Sequence, residues 1–206
     1  MKTRLAIIAS IVFTHAVFAA PQSFDFKDPK GVNSASFKVD APLESVSGSA
    51  NGISGTVTFD PANPADTKGK ITVTTASMTV PNPMMNGHLH GDMWLEATKY
   101  PEITFEAKEV KNAKTTDNVT TADVSGTFTL KGVSKDITIP VKFTYLKDKL
   151  GVRLQGMPGA KDGDLLVIRT SFSISRKDYN VAPGKFEDKV SDNIDLNLSI
   201  AGACPK

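Results

Sequence analysis

Two histidines and one aspartate, spaced two positions apart in residues 86–105, are of the types that bind metal ions. His88, His90 and Asp92 supply imidazole and carboxylate groups, which are common zinc ligands. On a β-strand, residues two apart share a face, and both imidazoles could reach one ion. On an α-helix they point about 200° apart and could not. The chemistry therefore depends on which element carries them.

Pro83 and Gly91 frame these residues as a short helix followed by a turn, because proline favours the first helical turn and glycine a helix end. We therefore predict no metal site and no cofactor. His88 suits a structural role, and both His88 and His90 are candidate contacts for the polar head group of a ligand. The same block holds Trp94, the single tryptophan of the chain.

Signatures of catalysis are absent from the sequence. It contains no Gly-x-Ser-x-Gly elbow, no His-Glu-x-x-His motif and no glycine-rich phosphate loop. Cys204 is the single cysteine, and a reactive thiol would need a cationic neighbour. Arg176 and Asp178 occupy alternate positions of a predicted strand, where such a pair forms a surface ion pair or fixes a turn. We predict no catalytic residues and no enzyme activity.

The first 19 residues have the pattern of a secretory signal peptide. Lys2 and Arg4 precede an apolar run over residues 5–18, and the expected cleavage follows Ala19. A membrane anchor would need about 20 uninterrupted apolar residues, which is more than this run has. We therefore expect one mature domain of residues 20–206, exported to the periplasm or the extracellular space and not membrane-spanning.

The mature chain would be electrically neutral. The sequence has 24 basic and 22 acidic residues, and the leader contains two of the basic ones, which leaves 22 against 22. No cluster of lysine and arginine with interleaved aromatic residues is present, so nucleic acid is not an expected partner.

Apolar and polar residues alternate over most of the chain, which predicts β-strands with one dry and one wet face. Little helix is available to cover a flat sheet, so the dry faces must be buried in a sandwich or in a closed barrel. Alternation alone does not choose between these folds. The polar, aromatic-free stretch Lys111–Asp123 is expected to be a long exposed hairpin loop.

Five regions of the chain carry a recognisable pattern, which lies in their order and in the spacing between them. They are Phe37–Val39, Gly55–Phe59, Gly87–His90 with Tyr100–Phe105, Gly126–Val141 and Ser173–Tyr179. Over residues 36–200 this pattern resembles the YceI-like lipid-binding family. Asn180 stands where that family usually has glycine, and asparagine tolerates the left-handed backbone that such a turn needs.

The resemblance implies an all-β fold: an eight-stranded antiparallel lipocalin-like barrel with a short helical insertion around residues 83–98. It also implies an enclosed long apolar ligand, such as a polyprenyl chain, an isoprenoid quinone or a similar amphiphile. Members of the family are typically exported bacterial proteins, which agrees with the leader.

An open barrel interior would be lined by the apolar face of each strand, with the helical insertion at its mouth. Met85, Leu89 and Met93 have a four-residue spacing that gives a short helix one apolar stripe, which would serve as an adjustable wall or pack as a core plug. The candidate ligand-binding residues of barrel and mouth are Phe37, Val39, Val57, Phe59, Ile71, Val73, Met84, Met85, Leu89, Met93, Trp94, Ile103, Phe105, Phe128, Leu130, Ile139, Val141, Phe143, Ile168, Phe172, Ile174 and Leu196.

Two functions of different class remain. The first is a carrier or scavenger that holds a long-chain isoprenoid or another lipid in its barrel. The second is a filled barrel that acts on a partner protein through its outer surface, with Lys111–Asp123 as the contact. The sequence leaves open the identity of the ligand and the oligomeric state, a homodimer included.

Overall fold

The computed structural model describes residues 20–206, so the predicted signal peptide lies outside the described residues. This part of the chain forms eleven strands, two α-helices and three short 3-10 helices. The strands are β1 (Gln22–Asp25), β2 (Ser34–Asp40), β3 (Ser45–Ala50), β4 (Ile53–Phe59), β5 (Lys68–Thr74), β6 (Met78–Thr79), β7 (Glu102–Thr116), β8 (Val119–Leu130), β9 (Val133–Leu146), β10 (Gly163–Ser175) and β11 (Asn193–Pro205). The helices are α1 (Pro83–His90) and α2 (Leu150–Arg153), and the 3-10 turns are Pro64–Asp66, Thr75–Ser77 and Arg176–Tyr179.

Eight of these strands form a closed antiparallel ring in the order β1-β4-β5-β7-β8-β9-β10-β11. The ring closes where Asp25 of β1 lies opposite Ala203 of β11. Strands β2, β3 and β6 continue the sheet from the other half of β11, where Phe37 lies opposite Leu196. The expected eight-stranded lipocalin-like barrel is therefore confirmed. Closure pairs β1 with β11, so neither strand is left as an edge of the eight-stranded ring.

The alternating pattern of the sequence places side chains as predicted in the long strands. In β9, Ile139, Val141 and Phe143 are buried, whereas Pro140 and Lys142 between them are exposed. Successive side chains of a strand point to opposite faces, so one face of each strand forms the barrel interior.

The two ends of the barrel differ, and we name each after its helix. At the α2 end, Phe24, Phe26, Phe59 and Phe143 fill the interior, and the rings of Phe59 and Phe143 stack with centroids 5.4 Å apart. Two of these rings, Phe24 and Phe26, come from β1 and the residue after it. Alternation does not reveal β1, because four residues are too few to establish a period.

The predicted hairpin loop at Lys111–Asp123 is wrong. Strands β7 and β8 continue through it and are joined by Asp117 and Asn118 alone. Every residue of β7 after Val110 is exposed, whereas Thr120 and Ala122 of the facing strand β8 are buried. A strand with two wet faces loses the alternation by which strands are recognised.

The small, polar segment before β4 is also a strand, β3, which pairs with β2. A Cβ atom added to Gly48 would lie 2.4 Å from the ring of Phe37 and from the carbonyl oxygen of Thr79. The small residue therefore allows β3 to approach its neighbours closely.

Helix α1 begins as predicted but ends early. The side chain of Asn82 caps it by accepting the Met84 N–H at 3.0 Å. Residues 91–99 form turns, so only the first half of the insertion expected around residues 83–98 is helical. Met93 lies beyond the helix, and the predicted apolar stripe does not reach it. In the described part of the chain, no helix is long and apolar enough to cross a membrane.

Candidate functional site

The barrel interior contains two chambers. The lower chamber, with a volume of about 150 Å³, lies in the middle of the barrel above the packed α2 end. The upper chamber, of about 180 Å³, lies beneath α1 and residues 181–190. The chambers are adjacent, because both are lined by Phe37, Met78, Ile103, Phe128 and Leu196. We call these five residues the waist.

The lower chamber is lined mainly by predicted residues. Its walls also include a few hydroxyl and amide groups, such as Thr170 and Asn197. The hydroxyl of Thr170 donates to the carbonyl oxygen of Pro140 at 2.7 Å, so this group is already satisfied. The predicted residues found in these walls are Phe37, Val57, Ile71, Val73, Ile103, Phe105, Phe128, Ile139, Val141, Phe143, Ile168, Phe172 and Leu196.

The upper chamber brings together the strands, α1 and the loop after residue 180. Predicted residues in its walls are Phe37, Val39, Met85, His88, Leu89, Trp94, Ile103, Phe128, Leu130, Ile174 and Leu196. Residues that sequence reasoning missed are Val46, Met78, Val80, Leu95, Arg176, Val181, Val190 and Ile194. Ile194 has the same parity as Leu196 and could have been found, whereas Val181 and Val190 lie in a loop that carries no periodic signal.

Four predicted site residues lie outside both chambers, and their assignment is corrected. Met84 and Met93 are exposed, because one is on the outer side of α1 and the other follows its end. Phe59 is buried in the α2-end core below the lower chamber. The Nε2 atom of His90 lies 2.8 Å from the carbonyl oxygen of Met78, so this ring joins α1 to β6 instead of facing a ligand. Ligand contact by the chamber residues stays a prediction.

Arg176 is the largest side chain buried in the interior, with 1 % of its surface exposed. It is not on a strand, and it does not pair with Asp178 as predicted, since Asp178 pairs with Lys135 at 3.0 Å. The Arg176 guanidinium lies 5.9 Å from the ring of Trp94, in a cation–π arrangement. Asn180 has φ 55°, so the predicted left-handed turn is confirmed.

All five N–H groups of Arg176 are used within the protein. They donate to the carbonyl oxygens of Val181, Ala182, Lys185, Val190 and Ser191. A guanidinium has five such groups, so none remains for a ligand. Arg176 therefore shapes the loop that covers the upper chamber.

A polar network closes the α2 end. The hydroxyl of Tyr145 donates to Asp164 at 2.7 Å, and the N–H of Asp148 donates to the same carboxylate at 2.8 Å. Burial, together with the hydrogen bond to Asp164, raises the pKa of Tyr145 to about 12. Burial acts to raise the pKa of Asp164, but hydrogen bonds from Asp148 and Tyr145 outweigh it and lower that pKa to about 2.

The chambers suit hydrocarbon and offer little for other chemistry. Within residues 20–206, no group of three or more His, Cys, Asp or Glu side chains is placed to hold a metal ion. Cys204 is half-buried and packs against the α2-end core. Apolar walls with few unpaired polar groups favour an apolar ligand over a polar one.

An eight-stranded antiparallel barrel with apolar chambers in its interior defines a lipocalin-like class of protein. Within this class, residues 24–201 match the YceI-like domain, and the chain belongs to that family.

Relatives of known sequence agree with this assignment. The chain is 32% identical over 167 residues to a UPF0312 protein of Pseudomonas fluorescens, covering 78% of this chain and 76% of the relative. It is also 32% identical over 155 residues to a UPF0312 protein of Yersinia pestis, covering 75% of this chain and 72% of that protein.

Solved structures share the fold. BcnA of Burkholderia cenocepacia superimposes with a TM-score of 0.66 at 23% identity, covering 82% of this chain and 95% of BcnA. The YCEI protein of Campylobacter jejuni gives 0.58 at 22% identity over 100% of both chains. A polyisoprenoid binding domain from Saccharophagus degradans gives 0.63 at 13% identity, covering 90% of this chain and 100% of that domain.

Proposed function

We propose that this protein holds a long apolar isoprenoid-type ligand inside its barrel and acts as its carrier or scavenger. The observation that carries this proposal is the pair of apolar chambers that meet at the waist. The description of the Saccharophagus degradans domain as polyisoprenoid binding supports the ligand class. The membership in the YceI-like family supports the same interpretation.

A single chain threaded through the waist would occupy both chambers. Along β10, Ile168 lines the lower chamber and Ile174 the upper one. At a rise of about 3.3 Å per residue, these positions are about 20 Å apart, so the cavity suits an elongated molecule. Removing apolar surface from water contributes about 25 cal/mol per Å², of which part is lost in ordering the ligand.

The polar end of such a ligand would lie at the α1 end. The lower chamber ends on the aromatic core of the α2 end, which offers no space for a polar group. In the upper chamber, His88 is an exposed residue of the wall, and the donors of Arg176 are already occupied. We therefore assign the head-group contact to His88.

The proposed setting is the periplasm or the extracellular space. The leader pattern supports export, and a water-insoluble chain needs a carrier where it crosses an aqueous compartment. The alternative of a filled barrel has less support, because packed interiors contain few voids larger than a water molecule and this barrel contains two large chambers.

Mass spectrometry of the protein's own extract tests the proposal. The full chain, with its leader, is expressed in a bacterium, purified without detergent and denatured, and the organic extract is analysed. We expect a stoichiometric long-chain hydrophobe. Repeated preparations without any bound hydrophobe would contradict the carrier function.

A matched pair of variants shows whether the ligand lies in the barrel. Ile168→Trp adds bulk to the wall of the lower chamber, whereas Val167→Trp places the same indole ring on the outer face of the same strand. We expect Ile168→Trp to lose the copurified hydrophobe and Val167→Trp to keep it. Equal retention by both variants would place the ligand elsewhere.

A further inference from the structure

Six large apolar side chains are exposed on residues 20–206, and four of them lie at the α1 end. Leu43, Met84, Met93 and Phe186 are 67%, 76%, 53% and 50% exposed, respectively. We call these four residues the rim. The other two, Val32 and Val152, are at the α2 end.

Contacts between three loops bring the rim residues to one place. The N–H of Leu43 donates to the carbonyl oxygen of Asp188 at 3.0 Å, and the N–H of Ala182 donates to that of Met93 at 3.1 Å. The ring of Phe186 stacks on Trp94, with centroids 6.3 Å apart and planes within 18°. Met84 directly precedes Met85 of α1, which lines the upper chamber together with Trp94 and Val190.

The rim continues into the upper chamber. Trp94 and Met85 are neighbours of rim residues and are themselves part of the chamber wall. An apolar path therefore leads from the exposed rim to the enclosed cavity. Exposed apolar patches that continue into a binding cavity mark surfaces that meet an apolar partner.

Phe186 occupies a backbone conformation that does not favour phenylalanine. Its φ is 57°, in the left-handed region where glycine and asparagine are common and bulky residues are rare. The N–H groups of Lys189 and Val190 both donate to its carbonyl oxygen, at 2.9 and 2.6 Å, and hold this turn. A half-exposed ring gains little from burial here, so a strained phenylalanine at this position indicates a role outside folding stability.

We propose that the rim docks the α1 end on the surface of a lipid bilayer, so that an isoprenoid passes between the membrane and the upper chamber. This inference rests on the proposed function, because a ligand that dissolves only in the bilayer must be loaded from it. Two methionines, a leucine and a phenylalanine need no fixed polar partners, which suits a fluid hydrocarbon surface better than a protein of defined shape.

Charge at the rim indicates how the bilayer is bound. The segments 41–44, 82–95 and 182–190 contain two lysines and four carboxylates, and Lys131 adds a third ammonium group, which donates to the carbonyl oxygens of Asp92 and Met93. With three cationic and four anionic groups, the rim carries no net positive charge. Attraction to anionic lipids therefore cannot supply the binding. Docking should depend on apolar insertion and be insensitive to salt.

Trp94 reports the docking directly, because it is the single tryptophan and stacks on Phe186. The ligand-free protein is mixed with phosphatidylcholine vesicles whose acyl chains carry bromine. We expect quenching of the tryptophan emission at both low and high salt, with no gain when a quarter of the lipid is phosphatidylglycerol. Absence of quenching, or binding that requires anionic lipid and is lost in salt, would overturn the proposal.

Serine variants of the rim test the assigned residues. The triple variant Leu43→Ser, Met84→Ser, Phe186→Ser should lower vesicle partitioning at least 100-fold, since loss of each apolar side chain weakens it about tenfold. The control, Val32→Ser with Val152→Ser, removes two exposed apolar side chains from the α2 end and should leave partitioning unchanged. An equal loss in both variants would contradict the assignment.

Uptake of ligand without vesicles separates this inference from the proposed function. Farnesol added from ethanol is offered to the wild type and to the triple variant. Uptake by both, with vesicle binding by the wild type only, supports docking by the rim. Uptake without vesicle binding by the wild type overturns the docking and keeps the carrier, whereas vesicle binding without uptake rejects the proposed function.

Discussion

The two ends of the barrel are closed by different means. At the α2 end, a network of side chains, in which Gln22 donates to Tyr145 and Tyr145 donates to Asp164, covers a solid aromatic core. At the α1 end, a short helix and a loop cover a chamber, and the loop's carbonyl groups converge on Arg176. The difference shows that one end is packed solid, whereas the other combines a cavity, an exposed apolar rim and a cover held by one residue.

Among substitutions at the two ends, Arg176→Met at the α1 end should have the largest effect on stability and on ligand retention. The change removes the Arg176 donors from five carbonyl oxygens, of which that of Ala182 keeps the N–H of Lys185, so we expect a loss of about 3–5 kcal/mol in the free energy of unfolding and loss of ligand retention. Urea unfolding and extraction of bound ligand measure the two effects. Arg176→Lys keeps the positive charge but has fewer donors, so its free energy of unfolding should lie between those of the wild type and Arg176→Met. Wild-type stability of Arg176→Met would show that the loop does not depend on this residue.

The corresponding change at the α2 end is Asn33→Ala. The amide of Asn33 donates to the carbonyl oxygens of Phe26 and Ala201, and its oxygen accepts the N–H of Ala201. We expect a loss of about 2–3 kcal/mol in the free energy of unfolding, with ligand retention unchanged. A loss of ligand in this variant would remove the functional distinction between the ends. Asn33→Asp, which cannot donate, should resemble the alanine variant.

Acid should weaken the α2 end through Asp164. Its pKa is lowered from 3.8 to about 2, so the folded protein keeps it ionised where the unfolded chain binds a proton. The stabilisation is complete only above about pH 5 and is lost as the pH falls towards 2, by on the order of 2 kcal/mol. Urea midpoints at pH 5, 3.5 and 2.5 measure this. Asp164→Asn should be less stable than the wild type at pH 5 and should lose less stability between pH 5 and pH 2.5. An equal loss in both proteins would exclude Asp164 as the cause.

Phe186→Asn should have the smallest effect on stability. Asparagine suits the left-handed backbone at this position, which offsets the lost stacking on Trp94. We expect a free energy of unfolding within about 0.5 kcal/mol of the wild type. Thermal unfolding measures the change, with Val152→Ser as the α2-end control. A much larger loss of unfolding free energy would show that the Phe186 ring stabilises the loop over the upper chamber, which would contradict its assignment to docking.

Interior and exterior positions could be predicted where apolar and polar residues alternate in the sequence. The interior positions of β9 and β10 follow from a period of two, since each side chain of a strand points away from its neighbours. Prediction failed where this local rule does not act. The outer half of β7 has two wet faces, and β1 is too short for a pattern. Arg176 lies in a turn, where sequence does not reveal burial.

Sequence by itself determined the strand parity, the apolar character of the interior and the start of α1, because these depend on residues close together in the chain. Only the tertiary structure decided which strand closes the ring, where packing ends and the chambers begin, and which residues meet at the rim. These depend on contacts between distant residues, as where Asn33 bonds to Ala201, 168 positions away. No local pattern encodes such a contact, since it forms only when the whole ring has closed.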